Sequence, residues 1–140
     1  MKAYEYPDIT TSDVAFRAYG KTLAEMFENA GLALVNVTVD IGRVEEKEER
    51  KLEAKGDDLE SLLFSWLTEI IFHIDSENMA FSRFELELDE KAFTIRARGW
   101  GERIDPERHH AKAHVKAATY HEMDIREENG TWRCQVILDI

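Results

Sequence analysis

The chain of 140 residues has one cysteine, two prolines and seven glycines. A single thiol, Cys134, excludes an internal disulfide, and its alternating position in the last apolar stretch reads as a small core residue. No linker, repeat or low-complexity segment interrupts the chain, so residues 1–140 read as one domain, large enough to bury a core without staples. Long apolar runs are missing as well. The longest, Leu62 to Ile74, is broken by Ser65, Thr68, Glu69 and His73 and is too short to span a bilayer. No basic segment followed by an apolar stretch opens the chain as a secretory signal does. The expectation from these absences is a cytoplasmic protein.

Basic residues are the scarcer charge: 18 Lys and Arg stand against 29 Asp and Glu, for a formal charge of −11. Direct binding of RNA or DNA is disfavoured, because affinity for a phosphate backbone comes from neutralisation by Lys and Arg. The same excess suits a divalent cation or a basic protein partner. There is no phosphate-binding glycine loop, no nucleophile elbow and no Ser/His/Asp or Cys/His arrangement. His109, His110 and His114 lie in a polar stretch without the cysteine partners or helical spacing of a zinc site, and read as solvated loop histidines. His121 reads as a packed, hydrogen-bonded strand residue.

What is present is clear periodicity. VAFRAY (14–19) alternates like a short strand and ends at Gly20. Thr22 with Glu25 forms a capping-box signature for a helix whose apolar face includes Leu23, Met26, Phe27, Ala30 and Leu34, ending near 37–40. RVEEKEERK (43–51) reads as a solvated loop and strand edge, followed by a half-buried strand over 51–55. Asp57 and Asp58 cap a second helix from Leu59 to about Ile74, with Leu62, Leu63, Trp66, Leu67, Ile70 and Ile71 as its core face. Strands are expected at 84–88 and 93–98, with Gly99-Trp100-Gly101 breaking the run. Two more, Val115 to Ile125 and Trp132 to Leu138, flank Asn129-Gly130, a strong hairpin signal. Two amphipathic helices on a mainly antiparallel sheet or sandwich of about seven strands define an α+β fold.

The chain ends VILDI, placing Asp139 beside the α-carboxylate of Ile140. A two-residue turn at Asn129-Gly130 puts Asp139 opposite Tyr120, whereas a bulge slides the partner toward Lys116. Asp13 stands just before the first strand, in a position suited to a turn or strand-entry cap. Asp40 sits at the unfavourable end of the first helix dipole, which calls for a counter-charge. Together these carboxylates would be an all-oxygen set suited to Mg²⁺, Mn²⁺ or Ca²⁺. Spacing alone favours a solvated strand end over a cation site.

Several blocks resemble one family. TSDVAFRAYGKTLAEMFENAGLAL is similar to the archease signature HTADVxxxAxGxTLEEAFENAALAL. GDDLESLLFSWLTEIIF, WGERIDPERH, VKAATYHEM and the final VILDI resemble later archease segments in the same order. The match runs from about residue 8 to 140. It departs at Thr10, where the family has histidine, and at Ser12, where it has alanine; a site here relies on oxygen ligands alone. The resemblance implies an accessory protein, not an enzyme, that serves the RtcB-type RNA ligase of tRNA splicing. That ligase uses GTP and divalent metal and passes through a guanylylated histidine of its own. The implied role is to promote guanylylation and repeated turnover. By the same resemblance Asp13, Asp139 and the Ile140 terminus hold the metal, while Asp40 and Lys116 act in ligase activation. The chain is expected to be a monomer or weak oligomer. Two rivals are a general chaperone of RNA-modifying enzymes, such as a tRNA methyltransferase, and a metal-dependent phosphoesterase.

Overall fold

Gly20 ends the first long strand and Thr22 opens the first helix, and this tight reversal sets the frame. In the computed structural model, which describes residues 1–140, the order is β1 (Tyr4–Glu5), β2 (Val14–Gly20), α1 (Leu23–Thr38), a 3-10 turn (Ile41–Arg43), β3 (Glu48–Lys55), α2 (Leu59–Glu77), β4 (Met79–Asp89), β5 (Thr94–Arg103), β6 (Ala117–Ala118), β7 (Asp124–Glu128) and β8 (Thr131–Asp139). The Thr22 hydroxyl accepts the Glu25 N–H, and the Glu25 carboxylate accepts the N–H of Lys21, one residue before the cap. At α2 the exchange is reciprocal: Asp58 accepts from the Ser61 N–H and the Ser61 hydroxyl oxygen from that of Asp58. α2 runs to Glu77, beyond the expected Ile74, because Asn78 supplies a left-handed cap at φ 54°.

All strand pairs are antiparallel. One sheet has the order β1-β2-β8-β6, with β7 also on β8; the other has the order β3-β5-β4. Both helices bury their apolar faces against these sheets in one continuous cluster of 30 buried residues. Met26, Phe27, Leu34, Trp66, Phe16 and Phe81 are fully enclosed. The buried Trp66 indole donates to the Phe27 carbonyl at 2.9 Å, so its polar atom is satisfied inside the core. Cys134 is enclosed in the same cluster, and burial raises its thiol to about 12. The expected α+β architecture is present, with eight strands rather than about seven. No helix is long and apolar enough to cross a membrane.

Two expectations fail instructively. Gly99-Trp100-Gly101 does not break the strand; β5 continues to Arg103. Here glycine serves close approach. A Cβ on Gly99 would lie 2.7 Å from the Phe81 ring, and one on Gly101 1.8 Å from the Ala80 carbonyl oxygen. Trp100 between them lies under the Arg83 guanidinium, 3.8 Å from its ring centroid. Residues 115–125 are likewise not one strand. A turn at 120–122, with Glu122 at φ 52°, separates β6 from β7, and His121 in it is exposed, not packed. A tight turn needs its central side chains outside the ladder, which alternation could not show.

That turn sets the register. Asn129 and Gly130 both take positive φ, 53° and 78°, as a type I′ hairpin requires. They pair Asp124 with Gln135. Beyond the break the pairing has slid three residues, so that Ala117, not Tyr120, stands opposite Asp139. Replacing Gly101 with alanine is expected to lower the unfolding free energy by about 2 kcal/mol or more through the backbone clash. Gly42→Ala, whose nearest neighbour would lie at 3.5 Å, is expected to stay within about 1 kcal/mol. Urea denaturation of the two variants checks both values.

Candidate functional site at the open end of the sheet

After the reversal at Gly20, α1 runs back along β2, so its C-terminus reaches the end of the sheet where β2 begins and β8 finishes. Val14 pairs with Leu138. Asp13 and Asp139 are the next residues outward on these two strands, Asp13 half-buried and Asp139 exposed. The Ile140 side chain packs against the core, which anchors the terminal carboxylate. The Lys116 N–H donates to the Asp139 carbonyl at 2.8 Å, so the slide toward Lys116 is the alternative realised. None of the chain's ion pairs uses Asp13, Lys116, Asp139 or the terminus.

Asp40 is differently engaged. Its Oδ1 accepts the Gly42 N–H at 3.2 Å and its Oδ2 meets Arg43 Nε at 3.3 Å, so Arg43 is the counter-charge called for by the helix end. Burial first, and the Asp40 charge second, raise the Tyr4 hydroxyl above its usual range. The last carbonyls of α1 are all taken. Val35 accepts from the Thr38 hydroxyl and the Val39 N–H, Asn36 from the Lys112 ammonium at 3.0 Å, Val37 from Ala113 N–H and Thr38 from Lys112 N–H. The Lys112 charge lies where the helix dipole favours a cation. The short stretch from Lys112 to Lys116 thus links the end of α1 to the end of β8.

A network absent from the sequence reading holds this stretch in place. Glu102, with 5% of its side chain exposed, accepts from the Arg108 guanidinium, the Glu45 N–H at 2.7 Å and His109 Nε2 at 3.0 Å. His109 is fully buried, which overturns its reading as a solvated loop histidine. The Asp105 N–H donates to its Nδ1 at 2.9 Å, leaving Nε2 as the protonated nitrogen facing Glu102. The His109 carbonyl in turn accepts the Asp40 N–H at 2.8 Å. His110 and His114 are exposed as expected, His114 against Asp75 at 3.2 Å. Glu102 breaks the inward alternation of Ile95, Ala97, Gly99 and Gly101, so periodicity gave no signal for it. Only the WGERIDPERH block pointed to this region.

For a divalent cation this margin would offer only a partial set of ligands. Asp13, Asp139 and the terminal carboxylate offer oxygen ligands suited to Mg²⁺, Mn²⁺ or Ca²⁺. Like charges on neighbouring strand ends repel, and no protein cation pairs with them, so bound charge of opposite sign would relieve the repulsion. No group of three His, Cys, Asp or Glu side chains is close enough to hold an ion; a third protein oxygen has to come from the terminus or the main chain. Asp40, already bonded to Gly42 and Arg43, stands outside that set.

The architecture is that of an α+β protein in which the start of β2 and the end of β8 form an acidic sheet margin, and comparison with known proteins gives it a family. Residues 4–140 match the model of the Archease protein family. The protein archease of Sulfurisphaera tokodaii is 42% identical over 140 residues, and that of Pyrococcus abyssi 41% over 143, each match covering 100% of both chains. The solution structure of Methanobacterium thermoautotrophicum protein 1598 aligns over 100% of both chains at 42% identity with a TM-score of 0.86. A Thermotoga maritima crystal structure, described as an archease and possible chaperone, shares the fold at a TM-score of 0.66 and 20% identity over 96% of this chain and 95% of its own. The chain belongs to the archease family.

The Glu102 network generates a pH prediction. The Arg108 guanidinium foremost, helped by the Glu45 N–H and His109, holds the Glu102 carboxyl well below the usual carboxylate range against the opposing effect of burial. A depressed carboxylate contributes stability that is present above its unfolded value, about pH 4.3, and is lost as pH falls toward its folded one. Glu102→Ala is expected to cost about 2 kcal/mol, below the full cost of breaking a buried pair because Arg108 is 42% exposed. Glu102→Gln is expected to lose less stability than the wild type between pH 7 and pH 3. Urea denaturation at the two pH values measures both.

Proposed function

We propose that this protein is a cytoplasmic accessory protein of an RtcB-type RNA ligase in tRNA splicing. It promotes GTP-dependent guanylylation and repeated turnover of the ligase through a divalent-metal site formed by Asp13, Asp139 and the Ile140 terminus. The observation that carries this reading is the pair of uncompensated aspartates at adjacent strand ends, beside a terminus anchored by Ile140. A bound cation would supply charge neutralisation and Lewis acidity at phosphate oxygens.

The chain's own residues do the positioning. Strand register places Asp13 and Asp139, and the Lys116 N–H steadies the Asp139 main chain. The unpaired Lys116 ammonium is available to a phosphate or a ligase carboxylate. Asp40, paired with Arg43 in its 3-10 turn, offers a fixed carboxylate to the partner. The −11 charge steers the molecule toward a basic active-site mouth. Cys134 is enclosed as a neutral thiol and both ring nitrogens of His109 are engaged, so neither takes part at this margin.

A guanylylation assay of an RtcB-type ligase with GTP and divalent metal tests the reading. Wild type is expected to stimulate, while Asp13→Asn, Asp139→Asn and a chain lacking residues 139–140 lose at least about tenfold of the stimulation. The two asparagine variants should unfold at unchanged or slightly higher urea, since each removes a like-charge contact. Full stimulation by both would sink the proposal. A client-holding role, in the sense of the Thermotoga description, predicts protection of client solubility that survives loss of Asp139.

A further inference from the structure

The three-stranded sheet leaves β3 with a free edge, because its order is β3-β5-β4. In an antiparallel ladder, alternate residues point their N–H and C=O groups away from the partner strand. The Glu53 N–H does so, and donates to the Glu69 carboxylate of α2 at 3.0 Å. By the same alternation Lys51 and Lys55 present main-chain groups to that edge. A groove of about 750 Å³ lies beside this edge, lined on the sheet side by residues 53–55 of β3 and 94–96 of β5 and on the other by Phe64, Thr68, Glu69 and Phe72 of α2. Phe64, Thr68 and Phe72 recur every four residues, the spacing of one helix face, and it is not the face α2 gives to the core.

This face is unusually apolar for a surface. Phe72 is 59% and Tyr120 53% exposed, and Tyr120 stacks on Phe64 with ring centroids 4.5 Å apart. The turn that shifts the β6 register delivers Tyr120 there. The α2 flank carries one sign of charge: from Asp57 to Ser82 there is no Lys or Arg, but there are Asp57, Asp58, Glu60, Glu69, Asp75 and Glu77. The sheet side is mixed, Lys55 and Arg96 lining the groove beside Glu53.

We propose that the groove between β3 and α2 is a docking site for an extended, basic segment of another polypeptide, which adds as a strand to β3 and sets aromatic or large aliphatic side chains against Phe64 and Phe72. Unpaired main-chain groups on an edge strand are matched by an extended backbone, exposed rings by alternate apolar side chains, and the acidic flank by Lys or Arg. The Glu69 side chain occupies the outward donor until a main-chain carbonyl replaces it, which guards the edge against indiscriminate pairing. A second copy of this chain fits poorly, since each brings a charge of −11 and the same acidic flank. The site is independent of the Asp13–Asp139 end.

The test uses the full chain, labelled with ¹⁵N, and a blocked synthetic peptide that alternates Lys with Phe or Leu. Saturable amide shifts are expected in β3 and α2, including Glu53. They should vanish with a peptide N-methylated at alternate residues and with a peptide carrying Glu in place of Lys. Phe72→Ser, at an exposed position that leaves the fold intact, is expected to weaken binding about tenfold or more. Absence of saturable shifts in β3 and α2, or shifts that survive N-methylation, would overturn the proposal. So would a dimer in sedimentation that depends on Phe72, because a second copy would then cover the face.

Discussion

The Glu102 carboxylate is the point to which the candidate functional end of this molecule is tied. A buried carboxylate is tolerable only when its lone pairs are filled, and here they are filled from two loops at once: Glu45 on one side, Arg108 and His109 on the other. The second loop carries the His109 carbonyl that receives Asp40 and the Lys112–Ala113 groups that finish α1. Removing the charge therefore loosens more than one ion pair. It releases the segment that joins the helix end to the last strand, and with it the spacing between Asp40 and the Asp13–Asp139 margin.

Much of this was legible in the residues. Thr22 and Glu25, Asp58, and the apolar spacing of Leu62 to Ile71 marked both helices, and Asn129-Gly130 marked the hairpin that ends the chain. These signals are local, requiring only propensity and period. The failures are those where a distant partner decides. Gly99 and Gly101 looked like strand breakers because the rings and carbonyl that crowd them come from β4. His109 looked solvated because Glu102 and Asp105 are not its sequence neighbours in any periodic sense. The break at residues 120–122 replaced one long strand by two short ones, and only the pairing with β8 reveals it. At the site, Asp13 and Asp139 were brought to adjacent strand ends by register, whereas Asp40 was drawn into its own turn by Gly42 and Arg43.

The acidic excess is not spread evenly in consequence. On the outer face of the three-stranded sheet it is interleaved with Lys51, Arg96 and Arg98, as expected of a solvated ladder. Along α2 and at the meeting of β2 and β8 it has no such interleaving. Family membership directs attention to the second of these regions, and the exposed aromatic rings direct it to the first. Presenting charge to a partner requires rigid presentation more than a deep pocket. Strand register and the Glu102 network supply that rigidity.

The pairing of Val14 with Leu138 has a consequence for how the molecule comes into being. β7 and β8 are neighbours in sequence and can zip locally, but β2 must wait for residues more than a hundred positions downstream. Non-local closure of this kind is slow and comes late. On the ribosome, where domains emerge from the N-terminus onward, β2 stays without its central partner until the last strand is released. The two aspartates become neighbours only once β8 has taken its place beside β2, and a product truncated before Asp139 would never display the pair.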